Sequence, residues 1–344
     1  DDLLFRKYFL EVLGSATDWS VVTDPVLTLS GGQTQTVPVA VTPSDTAAIF
    51  TVYWSGTDNA VKLTLQAPDG SVYDQGSPAY KGSKRYAFYR IDLEKAPPAR
   101  RNGVWSMRIQ ADAAALGGRQ VRFAASALAK SGTKIRVSSS SSFARTGEGV
   151  LLKVRLTQNG RPIAGASVTV HYEKPAIGIG DVLRVQKVDP AVLRTTRTDL
   201  TTPLQLKVDY LQKKLGRDFL PRKTGRFTLR DDGTQGDARA DDGVYSYVFT
   251  DTAIPGSYAF RFVAAGVAAG EARTTREWSC HLQNSVAIAP EFSKIEVKVV
   301  QKTSQGVKYS VQVTPRDRFG NYLGPGHTIE VNLGGRRVSL HDNL

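Results

Sequence analysis

Apolar and polar residues alternate with a period of two through most of this chain, as they do in strands that bury one face. In residues 61–66, for example, valine and leucine alternate with lysine, threonine and glutamine, and a Pro-Asp-Gly turn follows. Segments of the same kind lie at 49–54, 85–93, 103–111 and 119–128, and Gly, Pro and Ser separate them. Short strands spaced in this way are typical of antiparallel sandwiches, so the pattern predicts an all-β chain.

The alternation resumes after residues 130–133, which we predict to be a linker. Further strands are predicted at 135–140, 150–156 and 166–172. The segments 244–249 and 258–262 are rich in Tyr and Phe and flank an Ile-Pro-Gly turn, so we predict that they pair as one hairpin. A third β unit is predicted to begin at Phe292.

Two segments have helical periodicity instead. In residues 3–13, aromatic and aliphatic residues recur every three or four positions and a glycine follows, so we predict a helix that is the tail of a preceding domain or docks on the first sandwich. The second helix is predicted at 203–215, with Pro203 at its first position and Gly216 after its last.

Together these patterns predict an all-β fold of tandem antiparallel β-sandwich domains, immunoglobulin-like or jelly-roll-like, with an N-terminal helix and one helical insertion. The predicted divisions are 1–22 for the helix and its connector, 23–130 for the first sandwich, 131–285 for an immunoglobulin-like second sandwich with an insertion at 173–226, and 291–344 for a partial third immunoglobulin-like domain. Because the third unit is too short for about seven strands, we expect both ends to be truncations of a longer polypeptide.

Composition excludes several kinds of site. A single cysteine, Cys280, allows no intrachain disulfide and no cysteine-based zinc cage. No apolar run approaches the length of about 18 residues that spans a membrane. The first residues do not resemble a signal peptide. The chain also has no Ser-His-Asp order, zinc motif or phosphate-binding loop, so we predict that it is not an enzyme.

The formal net charge is +13, which is compatible with anionic partners. Residues 173–226 hold twelve Lys or Arg and six Asp or Glu, so this insertion carries about half of the excess. Its helix either packs on the sandwich or presents a basic docking surface formed by Lys207, Lys213, Lys214 and Arg217.

Carboxylates are concentrated between residues 229 and 246, in the sequence LRDDGTQGDARADDGVYS. Five aspartates there could supply hard oxygen ligands for Ca²⁺; they are Asp231, Asp232, Asp237, Asp241 and Asp242. Asp and Gly are also the residues of tight turns, so a turn that joins two strands is the alternative. The spacing is not that of an EF-hand.

The acidic stretch resembles the calcium-activated chloride channel regulator family and its bacterial relatives, through Asp232-Gly233, Gly236-Asp237-Ala238 and the run 241–246. Trp54, Gly103-Val104-Trp105 and residues 162–169 extend the resemblance over roughly 23–270. The resemblance implies β-domains that follow a von Willebrand A domain in extracellular proteins. The family's peptidase motif and A-domain metal motif do not occur in this chain. The run 316–321 looks more like the filamin- or invasin-type repeats of bacterial surface proteins.

We therefore expect a non-catalytic extracellular scaffold or adhesion region of a larger surface or secreted protein, with a protein or cell-surface partner and Ca²⁺ as its only candidate cofactor. Two alternatives stay open. The chain could be a module that binds a glycan or an anionic polymer, or a set of accessory domains of a secreted metallopeptidase. We expect no specific nucleic-acid partner and no transmembrane segment.

Overall fold

The computed structural model describes residues 17–186, 188, 203–216, 219–266, 274–324 and 329–340. The predicted helix at 3–13 and Arg217 lie outside these residues. The described chain is built mostly of strands in antiparallel sheets and has few helices, so the predicted all-β fold class is confirmed.

The first sandwich contains ten strands and two short helices. They are β1 (Trp19–Thr23), β2 (Val26–Ser30), β3 (Thr34–Val41), β4 (Asp45–Trp54), β5 (Val61–Gln66), β6 (Val72–Tyr73), β7 (Tyr80–Ser83), β8 (Tyr86–Asp92), α1 (Pro98–Arg101), β9 (Gly103–Ala111), α2 (Ala113–Leu116) and β10 (Gln120–Ser131). A six-stranded sheet has the order β1-β10-β4-β8-β7, with β2 also paired to β10, and a four-stranded sheet has the order β3-β9-β5-β6.

The core of this sandwich lies between the two sheets and is dominated by aromatic side chains. Phe50 of the larger sheet stacks on Trp105 of the smaller one, with 5.3 Å between their ring centroids, and neither is accessible to solvent. The hydroxyl of Tyr89 donates a hydrogen bond across the core to the carbonyl of Leu63 at 3.1 Å. Burial of each such side chain contributes about 1.5–3 kcal/mol. Every second residue of a strand faces this core, which explains the alternation seen in the sequence.

The predicted start of the first sandwich at residue 23 is wrong, because β1 begins at Trp19 and pairs with β10. Three consecutive residues of β1 are buried, Ser20, Val21 and Val22. A strand covered on both faces does not alternate, and for this reason the periodicity did not reveal it. The predicted linker at 130–133 is also wrong. The first sandwich ends at Ser131 and the next strand begins at Thr133, so only Gly132 separates them.

In the residues that the structure describes, the second sandwich contains nine strands and two helices. They are β11 (Thr133–Ser139), β12 (Phe143–Arg145), β13 (Val150–Gln158), β14 (Arg161–Pro162), β15 (Ser167–Pro175), α3 (Ile179–Val185), α4 (Pro203–Leu215), β16 (Arg222–Leu229), β17 (Val244–Phe249), β18 (Gly256–Gly266) and β19 (Thr274–Ser285). One sheet pairs β13 with β11, β14 and β17, and the five-stranded sheet has the order β12-β19-β18-β15-β16.

The predicted aromatic hairpin at 244–262 is wrong, because β17 pairs with β13 whereas β18 pairs with β15 and β19. The two strands therefore lie in opposite sheets. Their aromatic residues still meet in the core, where Phe249 packs edge-on against Phe260 at 5.0 Å. Alternation identifies the buried face of each strand but does not identify the strand that pairs with it.

The insertion between β15 and β16 begins after Pro175 and ends before Arg222, so its predicted limits, 173 and 226, fall within these strands. The predicted helix 203–215 is confirmed as α4. Leu211 of α4 packs with Val182 and Leu183 of α3 in a small cluster that is separate from the two sandwich cores.

The third unit is formed by two separate hairpins in the part of it that the structure describes. Strands β20 (Lys294–Thr303) and β21 (Gly306–Thr314) form one hairpin, and β22 (Ile329–Leu333) and β23 (Arg336–Leu340) form the other. On the first hairpin, Ile295, Val297 and Tyr309 are each more than half exposed.

Candidate functional site

The acidic stretch forms the loop that connects β16 to β17, and it crosses from one sheet of the second sandwich to the other. Arg230 and Ser246 close its base through paired backbone hydrogen bonds of 3.0 and 2.8 Å. The loop lies close against neighbouring residues. A Cβ at Gly236 would lie 2.5 Å from a methyl carbon of Leu151, and a Cβ at Gly243, also with positive φ, would lie 3.0 Å from the Leu156 carbonyl oxygen. Glycine avoids both the close contact and the strain of positive φ at these points.

Three of the five predicted aspartates come together in this loop. Asp231, Asp237 and Asp242 each offer a carboxylate oxygen, and these oxygens all lie within 4.8 Å of one another. Oxygens on opposite sides of one Ca²⁺ ion are about 5 Å apart, since each lies about 2.3–2.6 Å from the ion. The spacing is therefore compatible with three ligands of a single ion.

The same carboxylates already accept hydrogen bonds from the loop backbone. Asp231 accepts from the amides of Asp242 and Gly243 at 3.1 and 2.9 Å. Asp237 accepts from Gly233 at 2.8 Å. A carboxylate has about four lone-pair sites, so these bonds close the loop and still leave acceptor capacity for a cation.

Asp232 and Asp241 are not members of this triad. Asp232 accepts hydrogen bonds from Thr234, and the bond from the threonine hydroxyl lowers the pKa of this carboxyl. Asp241 adopts a left-handed backbone conformation with φ of 58°, which is a conformation that aspartate often adopts in turns. Three of the five predicted aspartates therefore converge, whereas Asp232 and Asp241 hold turns of the loop.

The basic surface predicted on α4 is not continuous. Lys207 is 3% exposed, since it lies one helical turn before the buried Leu211 and shares its face. Lys207 therefore cannot belong to an exposed docking surface. Lys213 pairs with Asp209 at 2.8 Å, and Lys214 lies 5.7 Å above the ring of Tyr210.

A junction between the two sandwiches was not anticipated from the sequence. Arg276 of β19 donates to a carboxylate oxygen of Asp45 on β4 at 2.7 Å and to the Ser131 hydroxyl at 2.8 Å. Both charged side chains are buried, with exposures of 1% and 0%. The second oxygen of Asp45 accepts from the backbone amide of Thr42 at 2.8 Å. Each sandwich therefore supplies one half of a buried ion pair.

Glu277, the residue after Arg276, extends the junction. It accepts hydrogen bonds from the backbone amide of Asp24 at 3.2 Å and from the hydroxyl of Thr23 at 3.3 Å. Arg261 of the second sandwich pairs with the same glutamate at 3.3 Å. No sequence signal brings these groups together, since Asp45 and Arg276 are 231 residues apart.

The segment after β21 attaches the third unit to the second sandwich. The side-chain amide of Asn321 donates to the carbonyl of Ala253 at 2.6 Å and to Asp317 at 2.7 Å. Asp317 itself is fully buried. The guanidinium of Arg184 on α3 lies 4.3 Å above the ring of Tyr322. The run 316–321, which resembles surface-protein repeats, is thus a loop that contacts the second sandwich.

No protein-family model matches this chain, and no curated protein matches it. Solved structures with similar regions include a DUF4785 family protein from Legionella pneumophila, with 10% identity over 88% of this chain and 74% of that one and a TM-score of 0.39. A lipase from Bacillus licheniformis in its propeptide form has 9% identity over 77% of this chain and 41% of the lipase chain, with a TM-score of 0.34. The alpha-2-macroglobulin of E. coli has 11% identity over 90% of this chain and 18% of its own chain, with a TM-score of 0.24. At these TM-scores we infer no shared function.

No helix in the described ranges has both the length and the apolar character needed to cross a membrane.

Proposed function

We propose that this chain is a non-catalytic scaffold region of a larger extracellular or cell-surface protein, which holds neighbouring parts at fixed positions and supports adhesive contact with a protein or cell-surface partner. The buried Arg276–Asp45 ion pair is the observation that carries the proposal. A spacer built for rigidity needs contacts that fix one domain against the next. Domains of one chain can ordinarily move relative to one another, whereas a buried ion pair with a further hydrogen bond across the junction sets their relative position.

Two further features support a rigid spacer. A single residue, Gly132, separates β10 from β11, so the connection leaves little freedom to the chain. Removing one member of a buried ion pair costs about 3–5 kcal/mol, because the other charge stays buried without compensation. Separation of the two sandwiches would break this pair and the bond from Arg276 to Ser131, but it would also return both charges to water. The pair therefore sets which residues meet at the junction and does not by itself supply the free energy of joining.

Calcium is the cofactor that we propose for this scaffold, bound by Asp231, Asp237 and Asp242. The observation in its favour is the approach of three carboxylates within 4.8 Å. Backbone amides close the loop without an ion, so calcium would stabilise a turn that is already formed. This stretch resembles a family of extracellular proteins. Extracellular calcium sites are ordinarily weak, with dissociation constants of about 0.1–1 mM, and a site of this kind would suit three carboxylates on a loop that is already formed.

Surface labelling tests the proposed location. An antibody raised against the whole chain should label intact source cells or detect the protein in their medium, and external protease should remove the cell-bound signal. Antibody against a cytoplasmic protein serves as the control for cell integrity. A signal that appears only after lysis would overturn the extracellular assignment.

A further inference from the structure

The outer face of the five-stranded sheet carries a row of nitrogen-bearing side chains on three adjacent strands. His171 of β15 lies directly opposite Arg226 of β16 on one side and opposite Arg261 of β18 on the other. Their chain neighbours Val170 and Phe262 are buried in the core, so the row faces away from it. Adjacent strands are about 4.8 Å apart, and the row therefore spans about 10 Å.

The charges in this row are only partly compensated. Arg261 pairs with Glu277, which also accepts hydrogen bonds from the first sandwich. Arg226 is exposed and has no ion pair among the described residues. Like charges directly opposite each other on a sheet are destabilising. Burial is the main cause that lowers the pKa of His171, and the charges of Arg261 and Arg226 lower it further.

Hydroxyl groups extend the row. Thr169 and Thr228 are directly opposite each other, two residues along from His171 and Arg226 on the same face. The Phe and Tyr side chains of these strands occupy the alternate, inward positions, such as Tyr172, Phe227 and Phe260. The outer face around the row therefore offers cations and hydroxyl donors, with no Phe, Tyr or Trp ring on which a nucleic-acid base could stack.

We propose that the row formed by Arg226, His171 and Arg261 is a binding site for a linear acidic glycan, with its sulfate or carboxylate groups placed over the three side chains. Charge complementarity selects an anionic partner. The absence of Phe, Tyr and Trp rings from this face selects a polymer that is recognised through its charged groups and hydroxyls. This site is distinct from α4 and from the acidic loop.

Binding of heparin oligosaccharides of defined length to the full chain tests the proposal. Arg226→Gln should weaken binding about tenfold, since a hydrogen bond to a charged group is worth about 1.5 kcal/mol or more. Arg226→Lys should retain much of the affinity. Arg136→Gln is the matched control, because Arg136 lies directly opposite Arg155 on the other sheet of the same sandwich. Its effect should stay below about twofold.

The pH dependence gives a second measurement. An anion bound over His171 favours the protonated imidazole, so binding takes up a proton and becomes tighter as the pH falls from about 8 to about 5.5. His171→Gln should remove this dependence while the melting temperature stays unchanged. On the same face, Thr169 and Glu173 of its own strand and Arg226 and Arg261 of the neighbouring strands surround this histidine, and Glu277 lies beyond Arg261. Glu173 and Glu277 are the acidic groups among them, and each of these carboxylates pairs with an arginine, Arg222 and Arg261 respectively.

Three outcomes would overturn the proposal. They are equal losses in Arg226→Gln and Arg136→Gln, an absence of heparin binding by the wild-type chain even at about 50 mM salt, and tighter binding of single-stranded DNA than of heparin at matched charge. The last result would assign the face to a nucleic acid.

Discussion

Asp237 is the most buried carboxylate of the acidic loop, with 8% of its surface exposed. Its oxygens accept from the amides of Gly233 and Arg239, so the side chain is held in place before any ion arrives. A fixed carboxylate loses little conformational freedom when it binds a cation. For this reason Asp237 is the ligand on which the proposed calcium site depends most.

We predict that millimolar calcium raises the melting temperature of the wild-type chain and that Asp237→Asn removes most of this rise. A ligand that binds only the folded state stabilises it by about 2.7 kcal/mol at a concentration one hundred times its Kd. Asp232→Asn is the control, since Asp232 lies in the same loop but outside the triad. Differential scanning calorimetry with calcium or with chelator measures the shift. Identical melting temperatures with calcium and with chelator would show that the loop is a turn that binds no calcium.

At the scale of elements, Tyr245 of β17 connects two parts of the second sandwich. Its hydroxyl donates to the carbonyl of Ile163 at 2.8 Å and accepts from the amide of Ala166 at 2.8 Å. The side chain is 2% exposed, and its burial raises the pKa of the phenol. The connection between β14 and β15 is therefore attached to β17 by one side chain.

We expect Tyr245→Phe to lower the free energy of unfolding by about 1–3 kcal/mol, because it leaves the buried carbonyl of Ile163 and the partly buried amide of Ala166 without this partner. Tyr247→Phe is a matched control two residues away. Tyr247 stacks on Phe227 at 4.4 Å, and no hydrogen bond of its hydroxyl is seen among the described residues. Urea unfolding of both variants gives the comparison. Equal effects would show that the hydroxyl of Tyr245 contributes nothing specific.

Local signals in the sequence predicted ten of the described strands and α4. Alternation predicts β9 at 103–111, and Pro203 with Gly216 predicts the limits of α4, since these signals arise within a few residues. Pairing between distant strands leaves no such signal. The turn at Ile254-Pro255-Gly256 suggested a hairpin, yet β17 pairs with β13, almost one hundred residues earlier in the chain. The acidic loop was predicted, but the subset of its aspartates that converge depends on backbone turns.

At the scale of the whole molecule, the two sandwiches are joined by charge and not by an apolar interface alone. Arg276 and Asp45 are withdrawn from water and have neutral or oppositely charged partners on both sides of the junction. Desolvation of each ion costs several kcal/mol, and the contact offsets this cost only when both partners are present. The two sandwiches should therefore unfold as one cooperative unit.

Replacement of Arg276 tests this coupling. We expect Arg276→Met to lower the free energy of unfolding by about 3–5 kcal/mol, because Asp45 is then buried without its partner. The double variant Arg276→Met with Asp45→Asn should recover part of this loss, since the uncompensated charge is gone. Arg136→Met, an exposed arginine in β11, is the control and should change stability by about 0.5 kcal/mol or less. Small-angle scattering of the single variant should show a larger maximum dimension than that of the wild type. If Arg276→Met leaves both the dimension and the cooperativity of unfolding unchanged, the junction does not fix the two sandwiches and the rigid scaffold is wrong.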